Sequence, residues 1–241
     1  MSDPVARGLL SGLAAMWANG SRARRRGAGF SLLEVMVAVA IIGVLVAVAG
    51  PQLEQFLANQ RVKSAARSVA DAFLLARAEA IRTGNAHIVF LEAAPAGGPA
   101  ATDPAGTPLG APVLVLNDGP AGTWNCRIDA GEARTAVAAE RGVWWGFTRA
   151  GGAPAPGDDP AADPSAGATF RDAAGNAVTW VLFRGDGIPL TFDAGCNLAP
   201  IGSGGGGVYV TNGNRDYAVV LSPLGAVRVH GFEVGADAWT D

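Results

Sequence analysis

The sequence predicts an α+β fold in which one long N-terminal helix is followed by an antiparallel all-β domain. Residues 30–50 form an apolar run with one ionisable side chain, Glu34, and residues 51–84 keep a helical spacing of apolar residues. Beyond residue 85, short β-branched and aromatic segments alternate with turn residues, which is the pattern of short strands. The 34 glycines, 15 prolines and 16% charged residues suit a β-rich domain with long loops.

A basic leader, residues 1–29, precedes the apolar run. It holds five arginines against Asp3, a net charge of +4, and because the whole chain carries −3 the remainder carries −7. Positive charge collects on the cytoplasmic side of a membrane segment. We therefore expect a cytoplasmic leader and an exported, acidic body. Translation could start at Met1 or at Met16.

Residues 30–50 are predicted to be the transmembrane half of the helix. As a helix, these 21 residues span about 30 Å, the thickness of the hydrocarbon core of a bilayer. A carboxylate placed in lipid costs on the order of 2.5–3.5 kcal/mol on insertion scales, so Glu34 is predicted to have a function.

Residues 51–84 are predicted to be the amphipathic half of the same helix. Pro51 stands where the apolar run ends, and Gly84 suits the position just after the last helical turn. Apolar residues recur between them at steps of three and four, on one helical face. They are Val62, Ala66, Val69, Phe73, Ala76 and Ala80. This face is predicted to cover a β-sheet.

Residues 86–241 are predicted to be an exported all-β domain. Strands are expected at 87–91, 113–116, 123–128, 143–147, 178–184, 188–192, 208–210, 217–221 and 226–231, with residues 134–140 open between helix and strand. The turn signal Asn117-Asp118-Gly119-Pro120 predicts that 113–116 pairs with 123–128. In the last strand Val227 and Val229 alternate with Arg228 and His230, which predicts one face in water.

The two cysteines, Cys126 and Cys196, both lie in the exported part, where an oxidising compartment permits a disulfide. A bridge between them and two separate buried thiols both fit the sequence, because it contains no distance between the two residues.

No catalytic or metal-binding pattern is found in the sequence. His87 and His230 stand in predicted strands outside any metal or protease motif, and no Gly-Lys-Ser/Thr follows the glycine tract 202–207. The oxygen-rich stretches 158–163 and 212–216 do not match a calcium loop. We therefore expect a non-enzymatic protein without a cofactor or a metal.

The start of the chain resembles the prepilin leader of type IV pilins and pseudopilins. A basic segment ends in Gly29, and Phe30-Ser31-Leu32-Leu33-Glu34 and an apolar run follow. The resemblance implies cleavage after Gly29 by a prepilin peptidase and N-methylation of Phe30. It also implies a single-pass protein of the bacterial inner membrane with a periplasmic C-terminal domain, whose partners are other pilins. Glu34 would then pair with the methylated amino terminus of a neighbouring subunit during filament assembly.

The C-terminal region resembles the GspH/FimT group of minor pilins. The stretches Phe183–Gly187 and Leu221–Val229 look like the two C-terminal signatures of that group, whose fold would be a β-sandwich-like pair of small sheets on the long helix. Some FimT-like members bind DNA through a Gly-Arg-x-Arg motif. Here Ala226 replaces the first arginine and Arg228 alone matches. With −7 on the exported part, the sequence argues against nucleic-acid binding.

Other interpretations of the leader remain open at this point. An ordinary signal anchor has the same overall pattern, a secretory signal could be cleaved after Ala49, and Arg25-Arg26 allows twin-arginine export. The exported domain could also be a DNA- or substrate-binding module. The sequence does not separate type II secretion from type IV pilus machinery, because both use this leader.

Overall fold

The computed structural model describes residues 31–93, 102–138, 140–149, 152–233 and 237–240, with only the backbone of Val48. The chain divides into two compact units, Met1–Gly50 and Pro51–Asp241. The predicted α+β architecture, a long apolar N-terminal helix followed by antiparallel sheets against which it packs, is confirmed.

Helix α1 runs from Leu32 to Thr83 and contains Pro51. The helix ends where Gly84 adopts a φ of +71°, and the Gly84 amide donates to the carbonyl of Ala80 at 2.8 Å. A residue without Cβ suits this left-handed position. The Thr83 hydroxyl donates to the carbonyl of Glu79, which satisfies another carbonyl of the last turn.

The β domain consists of two five-stranded antiparallel sheets. In the first sheet the strand order is β3-β2-β1-β5-β6, and in the second it is β10-β9-β8-β7-β4. The strands are β1 Asn85–Leu91, β2 Val113–Pro120, β3 Arg134–Val137, β4 Trp144–Trp145, β5 Trp180–Phe183, β6 Pro189–Leu190, β7 Gly206–Thr211, β8 Asp216–Leu221, β9 Val227–Glu233 and β10 Ala238–Thr240.

One hydrophobic core joins the second half of α1 to one face of each sheet. The helix contributes the predicted stripe, in which Val62, Phe73 and Ala80 are fully buried. The Phe73 ring lies at the centre of this core and meets Phe170 edge-on at a centroid distance of 6.1 Å. Smaller clusters cover the opposite face of each sheet, so several central strands are buried on both faces.

One predicted strand, its predicted pairing and the turn expected between the two strands were wrong. Strand β2 continues through Asn117 to Pro120, and its partners are β1 and β3, not residues 123–128. Residues 123–128 form no strand, because their backbone amides donate to carboxylates: Cys126 to Asp118 at 2.8 Å and Ile128 to Asp103 at 2.8 Å. The turn follows Pro120, where the Thr123 amide donates to the Pro120 carbonyl.

The last strands also differ from expectation. Arg228 and His230 were predicted to lie on a face of the last strand that is in contact with water. Arg228 is exposed, but His230 is buried, so the prediction is wrong at His230. One reason is that a later strand, β10, which the sequence did not predict, pairs with β9. Trp239 of β10 stacks on Phe147 at 5.3 Å and covers that side of the sheet.

Candidate assembly site on the N-terminal helix

Helix α1 begins with a side-chain cap at Ser31. The Ser31 carbonyl accepts a hydrogen bond from the amide of Val35, and its hydroxyl accepts one from the amide of Glu34, both at 3.2 Å. Ser31 is therefore the N-cap residue, and Glu34 occupies the third helical position. A serine followed three residues later by glutamate is a capping signature that the sequence analysis did not use.

Glu34 is fully helical and lies among exposed apolar side chains. Its neighbours Leu32, Leu33 and Val35 are all exposed, as are the large apolar residues that follow up to Val46. A negative charge in the first turn interacts favourably with the partial positive charge of a helix N-terminus. The site therefore consists of one carboxylate at the capped start of an apolar helix.

Among the described residues, α1 is long and apolar enough to cross a membrane, and the most apolar part of it is not buried against the protein. An apolar surface of this size, left uncovered by the chain, requires lipid or other protein to cover it. The predicted cleavage and methylation residues, Gly29 and Phe30, lie outside the described residues.

The family model of the prokaryotic N-terminal methylation motif matches residues 24–50. The chain carries a type IV pilin-like leader. The match spans the arginines before Gly29, the cap at Ser31, Glu34 and the apolar helix up to Gly50, which is the whole of the site described above. It indicates a type IV pilin-like protein that is processed by prepilin peptidase and anchored in a membrane. No curated protein and no solved structure matches the chain.

The other predicted site residues lie in the β domain. Cys126 and Cys196 form a disulfide with a Cα–Cα distance of 5.5 Å, and both have left-handed backbone, with φ of +61° and +63°. Arg228 is exposed on β9.

The oxygen-rich stretch 158–163 forms a hydrogen bond within the domain. The Tyr209 hydroxyl donates to the Asp158 carboxylate at 2.7 Å. Burial, and then that hydrogen bond, raise the pKa of Tyr209, so its hydroxyl stays protonated.

Two carboxyl groups, Asp118 and Glu132, lie at the loop 121–133, which contains Cys126 and is called the disulfide loop below. Burial raises the pKa of Asp118, which accepts the amide of Cys126 and has Glu132 within hydrogen-bonding reach. The pKa of Glu132 is raised as well, first by burial and then by the charges of Asp118 and Asp129. These carboxyls favour protonation more than an exposed carboxyl does.

A feature that the sequence analysis missed is the contact between α1 and the two C-terminal signatures. The Arg77 guanidinium donates from Nη1 to the carbonyl of Gly225 at 2.7 Å. A Cβ atom on Gly225 would lie 3.2 Å from that guanidinium, and one on Gly187 would lie 3.3 Å from its Nε. Both glycines have positive φ, +76° at Gly187 and +82° at Gly225. We call this arrangement of Arg77 between the two turns the arginine clasp.

Proposed function

We propose that this protein is a minor pseudopilin or minor pilin of the GspH/FimT type. It would be a structural subunit of a type II secretion pseudopilus or a type IV pilus, and its role would be non-enzymatic. The observation that carries the proposal is the capped, uncovered apolar helix with Glu34 at its third position, inside the matched methylation motif.

The proposed role of Glu34 is to pair with the methylated amino terminus of a neighbouring subunit. A carboxylate in lipid is costly, and a cation at hydrogen-bonding distance offsets part of that cost. The pair also forms at only one axial offset between the two helices. Glu34 would thus set the register of assembly.

The arginine clasp supports the GspH/FimT assignment within this proposal. The residues that resemble the two C-terminal signatures of that group form the two turns on either side of Arg77. The signatures would then serve the fold, by holding two hairpin turns against the end of the long helix, and not a catalytic or binding site.

The test is to replace Glu34 by alanine in the full chain and follow two products in cells. We expect cleavage after Gly29 to continue, because the peptidase motif is intact, and incorporation into sheared filaments to be lost. Glu54→Ala is the matched control, since Glu54 is an exposed carboxylate on the same helix beyond Pro51. Normal incorporation of Glu34→Ala would overturn the role of Glu34.

Mass spectrometry of the mature protein tests the processing step on its own. An N-methylated phenylalanine at Phe30 agrees with the proposal. A mature terminus at Gly50 would instead support secretion after cleavage at Ala49 and remove the membrane helix from the product.

A further inference from the structure

A pocket opens at one end of the second sheet, on the face that is turned away from α1. On this face Asp216 of β8 stands directly opposite Thr211 of β7 and Phe232 of β9. Val219, on the other face of β8, packs in the core that the sheet shares with α1. The pocket has a volume of about 340 Å³, which is enough for a small ligand. Its lining consists of Thr148, Arg149, Gly213, Asn214, Asp216 and Phe232.

The Asp216 carboxylate is buried in the lining of this pocket, with hydrogen bonds to one of its oxygens only. Asp216 is 2% exposed. Its Oδ1 accepts the amide of Thr148 at 3.2 Å and the hydroxyl of Thr148 at 2.7 Å. The described residues donate no hydrogen bond to Oδ2 and form no ion pair with Asp216. Because a buried carboxylate without a counter-charge is costly, a cationic ligand would stabilise this site.

Two threonine hydroxyls hold the carboxylate in one orientation. The Thr148 hydroxyl gives its only hydrogen to Asp216, so it accepts from the Thr211 hydroxyl, 2.6 Å away. The Thr211 hydroxyl in turn accepts the amide of Gly213, in the turn between β7 and β8, at 3.0 Å. This chain of donors fixes Oδ1, which leaves Oδ2 as the carboxylate oxygen available to a ligand.

The charges at the pocket also favour a cation. The described ionisable residues that line the pocket, adjoin its lining in sequence or pair with it are two basic and three acidic, a net charge of −1. They are Arg149, Arg215, Asp216, Glu233 and Asp237. Arg149 forms an ion pair with Asp237, and Arg215 and Glu233 are both exposed. The buried charge of Asp216 is therefore the one that is not offset.

The pocket has an apolar wall beside this charge. Phe232 is 4% exposed, and its ring meets Phe147 edge-on at a centroid distance of 4.9 Å and Trp239 at 5.1 Å. Methylene groups that carry a cation can contact this ring while the cation reaches Asp216. A guanidinium matches a carboxylate best when both oxygens are available, whereas a compact ammonium needs only one. The single available oxygen therefore favours an ammonium group.

We propose that this pocket binds an ammonium group carried on an aliphatic chain, with Oδ2 of Asp216 as its acceptor. Two sources have this chemistry: the lysine side chain of a partner protein and a small aliphatic amine. The inference concerns the unit Pro51–Asp241 alone and does not depend on Glu34 or on the role of α1 in assembly. It gives the β domain a recognition site of its own.

The test is an NMR titration of the isotope-labelled full chain in detergent micelles, with N-acetyl-lysine amide and n-butylammonium as probes. We expect saturable shifts of the Thr148, Gly213 and Asn214 amides. Asp216→Asn keeps Oδ1 for Thr148 but removes the charge, so it should weaken binding roughly tenfold or more, as the loss of a charged hydrogen bond does. Absence of saturable shifts with both probes would overturn the proposal.

Glu233→Gln is the matched control. It removes the same charge from an exposed carboxylate that follows Phe232 in sequence, and it leaves Asp216 intact. We expect it to weaken binding much less than Asp216→Asn does. Equal losses would mean that the probes follow the overall charge of the surface, and the proposed site would be wrong.

A neutral probe tests the need for charge in the wild type, whatever Asp216→Asn does to the fold. N-butylacetamide has an aliphatic chain like that of n-butylammonium but no charge, and we expect it not to shift these amides. If it binds as well as the two cations, Asp216 is not the acceptor and the proposal fails. Tighter binding of N-acetyl-lysine amide would support a partner protein as the source, and tighter binding of n-butylammonium would support a small amine.

Discussion

The Asp118 carboxylate holds the disulfide loop against the end of β2. It is buried, accepts the amide of Cys126 at 2.8 Å and stands beside Glu132, whose own carboxylate accepts the amide of Asp129. Burial of two neighbouring acids raises the pKa of both. A group with a raised pKa in the folded state keeps its proton where the unfolded chain has lost it.

Because both pKa values are raised in the folded state, the contribution of the pair to the free energy of unfolding is fully present below the ordinary carboxyl pKa of about 4. It is lost as the pH rises through the raised pKa values of the folded protein. We expect Asp118→Asn to remove part of this loss, so that the variant gains stability relative to the wild type from pH 4 to pH 7. Urea unfolding of the detergent-solubilised full chain at several pH values measures the difference.

The exposed carboxyl of Asp71, on α1, supplies the control for this measurement. From pH 4 to pH 7 the stability difference from the wild type should change more for Asp118→Asn than for Asp71→Asn. A change that is no larger for Asp118→Asn would show that the pair does not hold a proton more tightly in the folded protein.

At the scale of elements, the arginine clasp explains why two hairpin turns need glycine. At Gly225 a side chain would meet both the Arg77 guanidinium and, at 3.1 Å, the carbonyl oxygen of Gly187. The position also has a φ of +82°, which costs a residue with a Cβ roughly 1–2 kcal/mol. Two separate effects therefore oppose substitution at the same residue.

Gly175→Ala separates those two effects. Gly175 has nearly the same φ, +83°, but a Cβ atom added to it would enter open space, with no contact to the described residues within 4 Å. We expect Gly225→Ala to destabilise the full chain more than Gly175→Ala does, by on the order of 1 kcal/mol, because the contact with Arg77 must also open. Equal losses in urea unfolding would mean that the clasp contributes nothing beyond backbone strain.

The sequence was most informative about elements with a regular spacing of apolar residues. It was least informative where side chains accept the hydrogen bonds of backbone amides. The stripe from Val62 to Ala80 and the stop at Gly84 are local signals, and both were predicted correctly. Residues 123–128 carry strand-forming side chains, yet the amides of Cys126 and Ile128 donate to Asp118 and Asp103, 8 and 25 residues earlier in the chain. Strand propensity contains no information on such side-chain acceptors.

The candidate assembly site could be recognised in the sequence for a different reason. Glu34 stands out because lipid makes one carboxylate in an apolar run expensive, a signal that needs no tertiary structure. Ser31 could have been found by its spacing to Glu34. The contact of Arg77 could not, since its partner Gly225 comes from a turn far along the chain.

At the scale of the whole molecule, the two faces of the first sheet are covered in different ways. Helix α1 covers one face with a continuous hydrophobic core. The other face is covered by loops, which pack Cys126, Leu109 and Phe192 on Ile88, Phe90 and Leu182. Loops without regular hydrogen bonding open at low free-energy cost unless something else restrains them. The disulfide from Cys126 to Cys196 provides this restraint.

Replacing both cysteines by serine should therefore destabilise the β domain substantially. The bridge joins residues 70 apart in sequence, and in the chain-entropy model closing a loop of that length stabilises by about 4 kcal/mol. We expect the midpoint of urea unfolding of the full chain to fall by a corresponding amount. The wild type in a thiol reductant should fall to the same midpoint, while the double variant should not respond to the reductant. If the reduced wild type keeps its original midpoint, the loops are held by their carboxylate contacts at Asp103 and Asp118, and the disulfide adds little to them.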